Sequence, residues 1–303
     1  MSSTIVVVGS INMDLVVRTD EIPNIGETVL GNELLQIPGG KGANQGVSMA
    51  KLGNEVIFLG KVGNDEFGDK LLNSMKNAGV NIEHIEREYT STGVAVINVD
   101  KKGNNNIVVI PGANQKVDGD YLNRHISVLE KGDVVVFQLE IPIETVKEGL
   151  KIAKSLGKIT VLNPAPAYDL DEQIIENVDI LIPNEHELGR IAKRNIDTKK
   201  SLVDAANVLL EKGVKEIIVT LGSKGVCYVN KDGYKIFDAY KVEAVDTTAA
   251  GDSFIGGFVS SYIKDKNIDK AIDMGQKAAA LTIQKIGAQS SLPTIDEVEN
   301  FNG

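Results

Sequence analysis

The 303-residue sequence predicts an α/β domain: a mostly parallel sheet, doubly wound with helices on both faces, plus a small β-sheet at its edge. Three observations lead there. Short β-branched runs alternate with amphipathic helical patterns along most of the chain. The strand runs are apolar throughout, as strands must be when helices cover both sheet faces. Two segments, 15–38 and 92–111, break the alternation with strand-like sequence and no helical period.

In chain order, the first strand is the run 5–8, which ends at Gly9. It is too short for the apolar core of a secretory signal, and no basic segment precedes it. Further strands are expected at 56–59, 134–137, 159–162, 180–182 and 217–221. Between them, Ile143, Val146, Leu150 and Ala153 form a helical stripe that Gly157 terminates. Leu202, Ala205, Ala206, Leu209 and Leu210 form another, closed by Gly213. In segment 92–111, Val94, Val96 and Asn98 do not separate from Ala95, Ile97 and Val99 into core and solvent faces. Both irregular segments therefore belong to a small appended sheet, apolar enough to cover a ligand, a second subunit, or both. The expectation is one domain over 1–303, with 15–38 and 92–111 as a β-lid.

Composition narrows the partners. Hydrophobic residues make up 42% and charged residues 24%, the balance of a soluble globular chain. A net charge of −10 repels phosphate backbones, which argues against nucleic acid as a partner. No stretch approaches the roughly 18 apolar residues of a membrane span, so no membrane partner and a cytoplasmic location are expected. The lone cysteine, Cys227, excludes an internal disulfide and sits in an apolar run that suits an inert buried thiol. His84, His125 and His186 have no paired metal-ligand spacing.

Two stretches carry chemistry. Asp246-Thr247-Thr248-Ala249-Ala250-Gly251-Asp252 leads into an apolar helical pattern. Small residues there allow close backbone approach, and a helix N-terminus presents unpaired N–H groups to an anion. Asp252 could take a proton from an alcohol, or it could merely cap the helix. Pro38-Gly39-Gly40-Lys41-Gly42-Ala43-Asn44-Gln45 opens a second helix, and its polar residues among glycines suit a hydroxylated ligand. It is no Walker A motif, because Gly42 follows Lys41 where Ser or Thr is required. No complete G-x-G-x-x-G occurs, which argues against a dinucleotide enzyme.

With Gly9-Ser10-Ile11-Asn12-Met13-Asp14 and Gly39-Gly40-Lys41-Gly42-Ala43-Asn44, the chain resembles the ribokinase-like carbohydrate kinases over essentially its whole length. The resemblance continues through Asn163-Pro164-Ala165-Pro166, Asn184-Glu185-His186-Glu187 and Thr220-Leu221-Gly222-Ser223-Lys224-Gly225. It closes with the Asp246–Asp252 stretch and Gly287-Ala288-Gln289. It implies transfer of the ATP γ-phosphoryl group to a sugar hydroxyl, the 5-hydroxyl of ribose in the nearest relatives. Asp252 matches the family's catalytic base, and the backbone amides of Ala249, Ala250 and Gly251, extending to Asp252, match its anion hole. Alanine at 249, where many of these kinases have glycine, restricts the backbone.

The resemblance also assigns sugar contacts to Asn12, Asp14, Gly40, Lys41, Asn44 and Glu140. A turn after the first strand is the competing account of Asn12 and Asp14, and a helix cap that of Glu140. Nucleotide contacts carry over to Asn184, Glu187, Gln276 and the loop Thr220, Leu221, Gly222, Ser223, Lys224, Gly225. Glu187 would position Mg²⁺ and the phosphates through water; otherwise it is a solvated helix start favoured by the dipole. A monovalent cation, usually K⁺, would be held at Asp246, Thr248, Thr282, Lys285, Gly287 and Ser291, mostly through carbonyls. A homodimer paired lid to lid is implied as well.

Overall fold

The structure, a computed structural model, describes residues 3–301 and 303. Thirteen strands appear among them: β1 (Thr4–Val8), β2 (Asn12–Thr19), β3 (Gly31–Gly39), β4 (Glu55–Gly63), β5 (Ile85–Glu88), β6 (Gly93–Val99) and β7 (Asn105–Ile110). Then follow β8 (Val134–Phe137), β9 (Ile159–Leu162), β10 (Ile180–Leu181), β11 (Glu216–Thr220), β12 (Val226–Asn230) and β13 (Gly233–Phe237). The helices are α1 (Lys41–Lys51), α2 (Glu66–Asn77), α3 (Gly119–Arg124), α4 (Ile126–Leu129), α5 (Ile143–Ser155) and α6 (Glu172–Ile175). They continue with α7 (Glu185–Ala192), α8 (Lys199–Glu211), α9 (Ala250–Asp265), α10 (Ile268–Thr282) and α11 (Ile295–Glu299).

Nine strands form the main sheet in the order β13-β12-β11-β10-β9-β8-β1-β4-β5. It is parallel from β11 to β5; only β12 and β13 run antiparallel. Alternation along β1 supplies both cores. Val6 and Val8 face one cluster with Phe137, Val146, Leu150, Leu188 and Leu202. Ile5 and Val7 face the other, with Val47, Phe58, Phe254, Phe258 and Ile272. Helices α5, α7 and α8 thus cover one face and α1, α2, α9 and α10 the other. This doubly wound arrangement is the one the apolar strand runs predict.

The strand order reverses between β1 and β8: after β1 the chain builds outward to β4 and β5, then returns to β8 and builds the other way. Open α/β sheets bind ligands in the crevice that such a reversal leaves at the carboxyl ends of the strands. The residues after β1, from Gly9 to Asn12, and after β8, from Gln138 to Glu140, line up there by register.

Four strands form a second sheet in the order β3-β2-β6-β7. It is drawn from the two irregular segments, but β2 begins at Asn12, before the expected boundary at 15. Asn12 and Asp14 are therefore strand residues of the small sheet, paired with Gly39 and Ile37, rather than a turn after β1. β7 is exposed along its whole length, with Ile107 at 55% and Val108 at 60% exposure.

The α1 entrance depends on missing side chains. Gly40 has φ of 88°, and a Cβ at Gly42 would lie 2.6 Å from Ser10 N and 2.8 Å from Gly9 Cα. Both clashing atoms are backbone, so neither can swing aside. Gly42→Ala should lower stability by about 1–3 kcal/mol, read as a reduced denaturant midpoint with an unchanged slope. An unchanged midpoint would mean that helix and strand separate without cost.

Candidate active site

The N-termini of α1 and α9 meet over the carboxyl ends of β1 and β8, and their first turns carry the reactive groups. Asp252, in the first turn of α9, is 7% exposed. Its Oδ2 accepts from Asn44 Nδ2 at 3.0 Å and its Oδ1 from Gln45 Nε2 at 2.9 Å. The α9 cap is Ala249, with no side-chain bond, so Asp252 is not a helix cap. Burial pushes its carboxyl up, against the pull of Lys41 and of the Gln45 and Asn44 amides.

Ala249 stands in the left-handed region, at φ 59° and ψ 10°. A side chain there costs about 1–2 kcal/mol, which accounts for glycine being the easier residue at this corner. The turn takes one amide of the expected anion hole: Ala250 N donates to Thr247 O at 3.2 Å. Among the described residues, the N–H groups of Ala249, Gly251 and Asp252 have no protein acceptor. Three amides are thus free at a helix N-terminus.

These residues line one side of a cavity of about 230 Å³. Lys41, Asn163, Asn184, Glu187 and Thr220 add polar lining, and Ala165, Ile182 and Ile255 an apolar part. Asn184 caps α7 and forms a reciprocal capping box with Glu187, whose Oε2 accepts from Asn184 N at 2.8 Å. Glu187 is 8% exposed, so it is not the solvated helix start of the alternative account. Burial raises its carboxyl pKa, against Asn184 N–H and Lys41. Leu221, Gly222, Ser223, Lys224 and Gly225 follow Thr220 as a short 3₁₀ turn and are not among the residues that line the cavity. Gln276 does not line it either: its Nε2 donates to Asp238 O at 3.0 Å.

Of the six expected sugar contacts, Lys41 lines this cavity, and the charges of Asp14 and Glu140 act on its ammonium. Glu140 Oε2 accepts from Ser10 Oγ at 2.6 Å and from Lys41 N at 3.0 Å. Glu140 therefore does serve a helix terminus, but that of α1; the cap of α5 is Pro142. Asn12 Oδ1 accepts from Asn114 Nδ2 at 2.7 Å, and Asn114 Oδ1 accepts from Ile11 N at 2.9 Å. A main-chain donor thus sets both amides, and among the described residues Asn12 Nδ2 meets no acceptor and can donate to a ligand. Asn114 is 1% exposed; it was not legible as a site residue, because only folding brings it beside Asn12.

Lys41 is the cation among four carboxylates. Burial pushes its ammonium down, but Asp252, Glu140, Glu187 and Asp14 outweigh that and hold it above the usual lysine range. One cation does not balance four anions, and Asp14 shows the excess. Burial, Glu140 and Asp252 push its carboxyl up to about 7, against Lys41.

The six expected cation positions lie where the segments around 246 and 287 join. Asp246 accepts from Thr248 N and Gly287 N, each at 2.9 Å. Burial raises its carboxyl pKa, but those bonds and the Thr248 side chain reverse the shift and keep it low. The side chains of Thr282, Lys285 and Ser291 are engaged elsewhere: with Ser253 and Ala278 O, with Glu297, and with Gly287 O and Ala288 O. The Thr282 and Ser291 hydroxyls keep oxygen lone pairs, whereas Lys285 can offer only its carbonyl as a ligand. Among the described residues no cluster of three or more His, Cys, Asp or Glu could hold a metal. Cys227 is fully buried, and burial pushes its thiol up to about 11, as suits an inert core residue. Among the described residues, no helix is long and apolar enough to cross a membrane.

A buried carboxylate beside free helix amides, with hydroxyl-binding groups on the other side, defines an enzyme site that moves a proton and an anionic group. The family model for pfkB family carbohydrate kinases matches residues 2–295, and the chain belongs to that family. It is 39% identical to a ribokinase of Haemophilus influenzae, over 99% of each chain. The solved ribokinase of Thermotoga maritima aligns with TM-score 0.90 at 40% identity, covering 98% of each chain. The Arabidopsis thaliana ribokinase, solved with ribose and ATP, aligns with TM-score 0.93 at 29% identity over 100% of each chain.

Asp14 yields a testable sign. The folded protein keeps the Asp14 proton up to about pH 7, whereas the unfolded chain releases it near the ordinary carboxyl value of 3.8. Stability from this group is therefore lost as pH rises between those two values. Asp14→Asn should raise the melting temperature of the unliganded protein at pH 8, and the gain should shrink toward pH 5. An equal shift at both pH values would refute the assignment.

Proposed function

We propose that this chain transfers the γ-phosphoryl group of ATP to the 5-hydroxyl of D-ribose, giving ribose 5-phosphate and ADP. The observation that carries the reading is Asp252: buried, held by two amides, and next to unpaired N–H groups at a helix N-terminus. The ribokinase relatives and the neighbour solved with ribose and ATP support ribose as acceptor and ATP as donor.

In this reading Asn12, Asp14, Gly40, Lys41, Asn44 and Glu140 hold the sugar. Asn12 donates to one hydroxyl, and the carboxylates accept from others. A site whose buried polar groups need those hydroxyls disfavours an analogue lacking one. Asp252 accepts the proton of the 5-hydroxyl as its oxygen bonds to phosphorus and the bond to the ADP oxygen breaks. The N–H groups of Ala249, Gly251 and Asp252 stabilise the charge on the transferring group. Asn184, Thr220 and the 221–225 turn, with Gln276 farther out, are the nucleotide side.

Glu187 fits Mg²⁺: one carboxylate oxygen is taken by Asn184, and no protein donor meets the other among the described residues. When bound with ATP, Mg²⁺ supplies positive charge to the phosphates, in a cluster that Lys41 alone leaves anionic. The Asp246 corner fits K⁺, since its carboxylate stays ionised and carbonyls remain available. Among the described residues, the carbonyls of Thr248, Lys285 and Ser291 accept no hydrogen bond, while those of Thr282 and Gly287 accept one and keep a second lone pair. A cation there supports the turn that presents the Ala249 and Gly251 amides.

We assign 1–303 as a single domain whose small sheet closes over the sugar and excludes water. Its exposed β7 face and open edges pair with a second copy to form a homodimer. An ATP-dependent sugar kinase works in the cytoplasm, and this chain belongs there.

ADP release from Mg·ATP should require D-ribose, rise with K⁺, and be weaker with fructose, deoxyribose or adenosine. Another preferred acceptor would move the specificity and keep the chemistry. Binding of ribose without turnover would instead indicate a sugar-responsive regulator. Asp252→Asn should reduce turnover by about 10²–10⁴-fold while ribose binding persists; retained turnover would remove Asp252 from the base role. Light scattering at micromolar concentration should give a dimer, and a monomer would overturn the lid pairing.

A further inference from the structure

We infer that Gln45 is a positioning residue for the reaction, and that it orients Asp252 through a directed chain of buried amides running from Ile182 to Gln138. The inference rests on the assignment of Asp252 as the base. Gln45, the fifth residue of α1, is fully buried at the start of its second turn. Its Nε2 donates to Asp252 Oδ1 at 2.9 Å and to Asn163 Oδ1 at 3.2 Å. Its Oε1 accepts from Gln138 Nε2 at 2.7 Å.

A glutamine could present either its oxygen or its nitrogen to a neighbour, but this one has no choice. Asn163 Nδ2 donates to Ile182 O at 3.0 Å, and a main-chain carbonyl can only accept. Asn163 must then turn its oxygen to Gln45, which obliges Gln45 to turn its nitrogen to both Asn163 and Asp252. Its own oxygen is left facing Gln138, which must supply a nitrogen. The backbone of Ile182 thus sets the polarity of every amide in the chain.

The cost appears at the far end. Gln138 is fully buried, and among the described residues its Oε1 has no hydrogen-bond partner. A buried orphan acceptor is unfavourable. Flipping the Gln138 amide would set two oxygens against each other at Gln45, so the orphan persists.

For the base the consequence is geometric. Gln45 and Asn44 each take one lone pair of a different Asp252 oxygen, which leaves the remaining lone pairs in a fixed direction for the substrate hydroxyl. Both donors also favour the ionised carboxylate that can accept a proton. The charged groups acting on Asp252 come from three other elements and one loop: Lys41 from α1, Asp14 from β2, Glu187 from α7, and Glu140 after β8.

The test compares Gln45→Met, of similar shape and without a donor, with Asp252→Asn under one ribose-dependent ADP assay. Gln45→Met should lower kcat about tenfold or more and move the acid limb of the kcat–pH profile to higher pH. Ribose affinity by calorimetry should stay within about threefold. A role confined to packing would reduce thermal stability and leave the acid limb in place. Gln138→Met, which leaves the direction of Gln45 set by Asn163 but removes the bond that holds its Oε1, should shift kcat and the acid limb in the same direction by less; it carries the test if Gln45→Met does not fold. An inactive Asp252→Asn beside wild-type kcat and an unmoved limb in the glutamine variants would overturn the relay alone. A fully active Asp252→Asn would overturn the base assignment and the relay with it.

Discussion

The site depends on a contact between two helix N-termini that are remote in sequence. Asn44 and Gln45 on α1 hold Asp252 on α9 across 208 and 207 positions. Two helix dipoles converging on one carboxylate favour its charged form, and the hydrogen bonds keep the helices in register. Glu140 ties the other side of α1 to the loop after β1 through Lys41 N and Ser10 Oγ. The glycines at the α1 entrance are the steric counterpart of that contact. They let the helix come close enough for its first turn to reach Asp252.

Charge around Lys41 is the second organising feature. Four carboxylates share one ammonium, and burial keeps water from screening them. Burial first, and the neighbouring carboxylates after it, raise the carboxyl pKa of Asp14, Glu187 and Asp252. Asp246 shows the opposite behaviour on the far side of the same turn. It accepts main-chain N–H groups from two segments, and its carboxyl stays ionised. Neighbouring aspartates thus answer to different balances of burial and hydrogen bonding.

Much of this was legible in the sequence. The apolar runs marked 134–137 and 159–162 as strands, and the structure has β8 and β9 at those residues. The glycine-rich stretch after Pro38 announced a helix, and α1 begins at Lys41. Asp252 stood out as a carboxylate in a small-residue turn. The start of β2 at Asn12 was not legible, because Ile11 and Met13 are buried beside polar partners and show no clean alternation. Nor were Asn114 and Gln138, whose amides look like ordinary loop or strand-end residues until the sheet brings them together; Asn163 stood in a motif of the resemblance, but its bond to Gln45 did not show there. Glu140 read as a possible cap for the helix that follows it, and it serves the terminus of α1 instead.

Hydrophobic periodicity and turn chemistry are local, so the sequence by itself determined the α/β alternation, the two irregular segments and the helix starts that carry Lys41 and Asp252. Register and sheet order are not local. Tertiary structure alone decided that the strand order reverses beside β1, that Ala249 turns left-handed, and which amides of the turn stay free. It also decided which way each buried amide points, since an asparagine or glutamine takes its direction from partners that only the folded chain supplies.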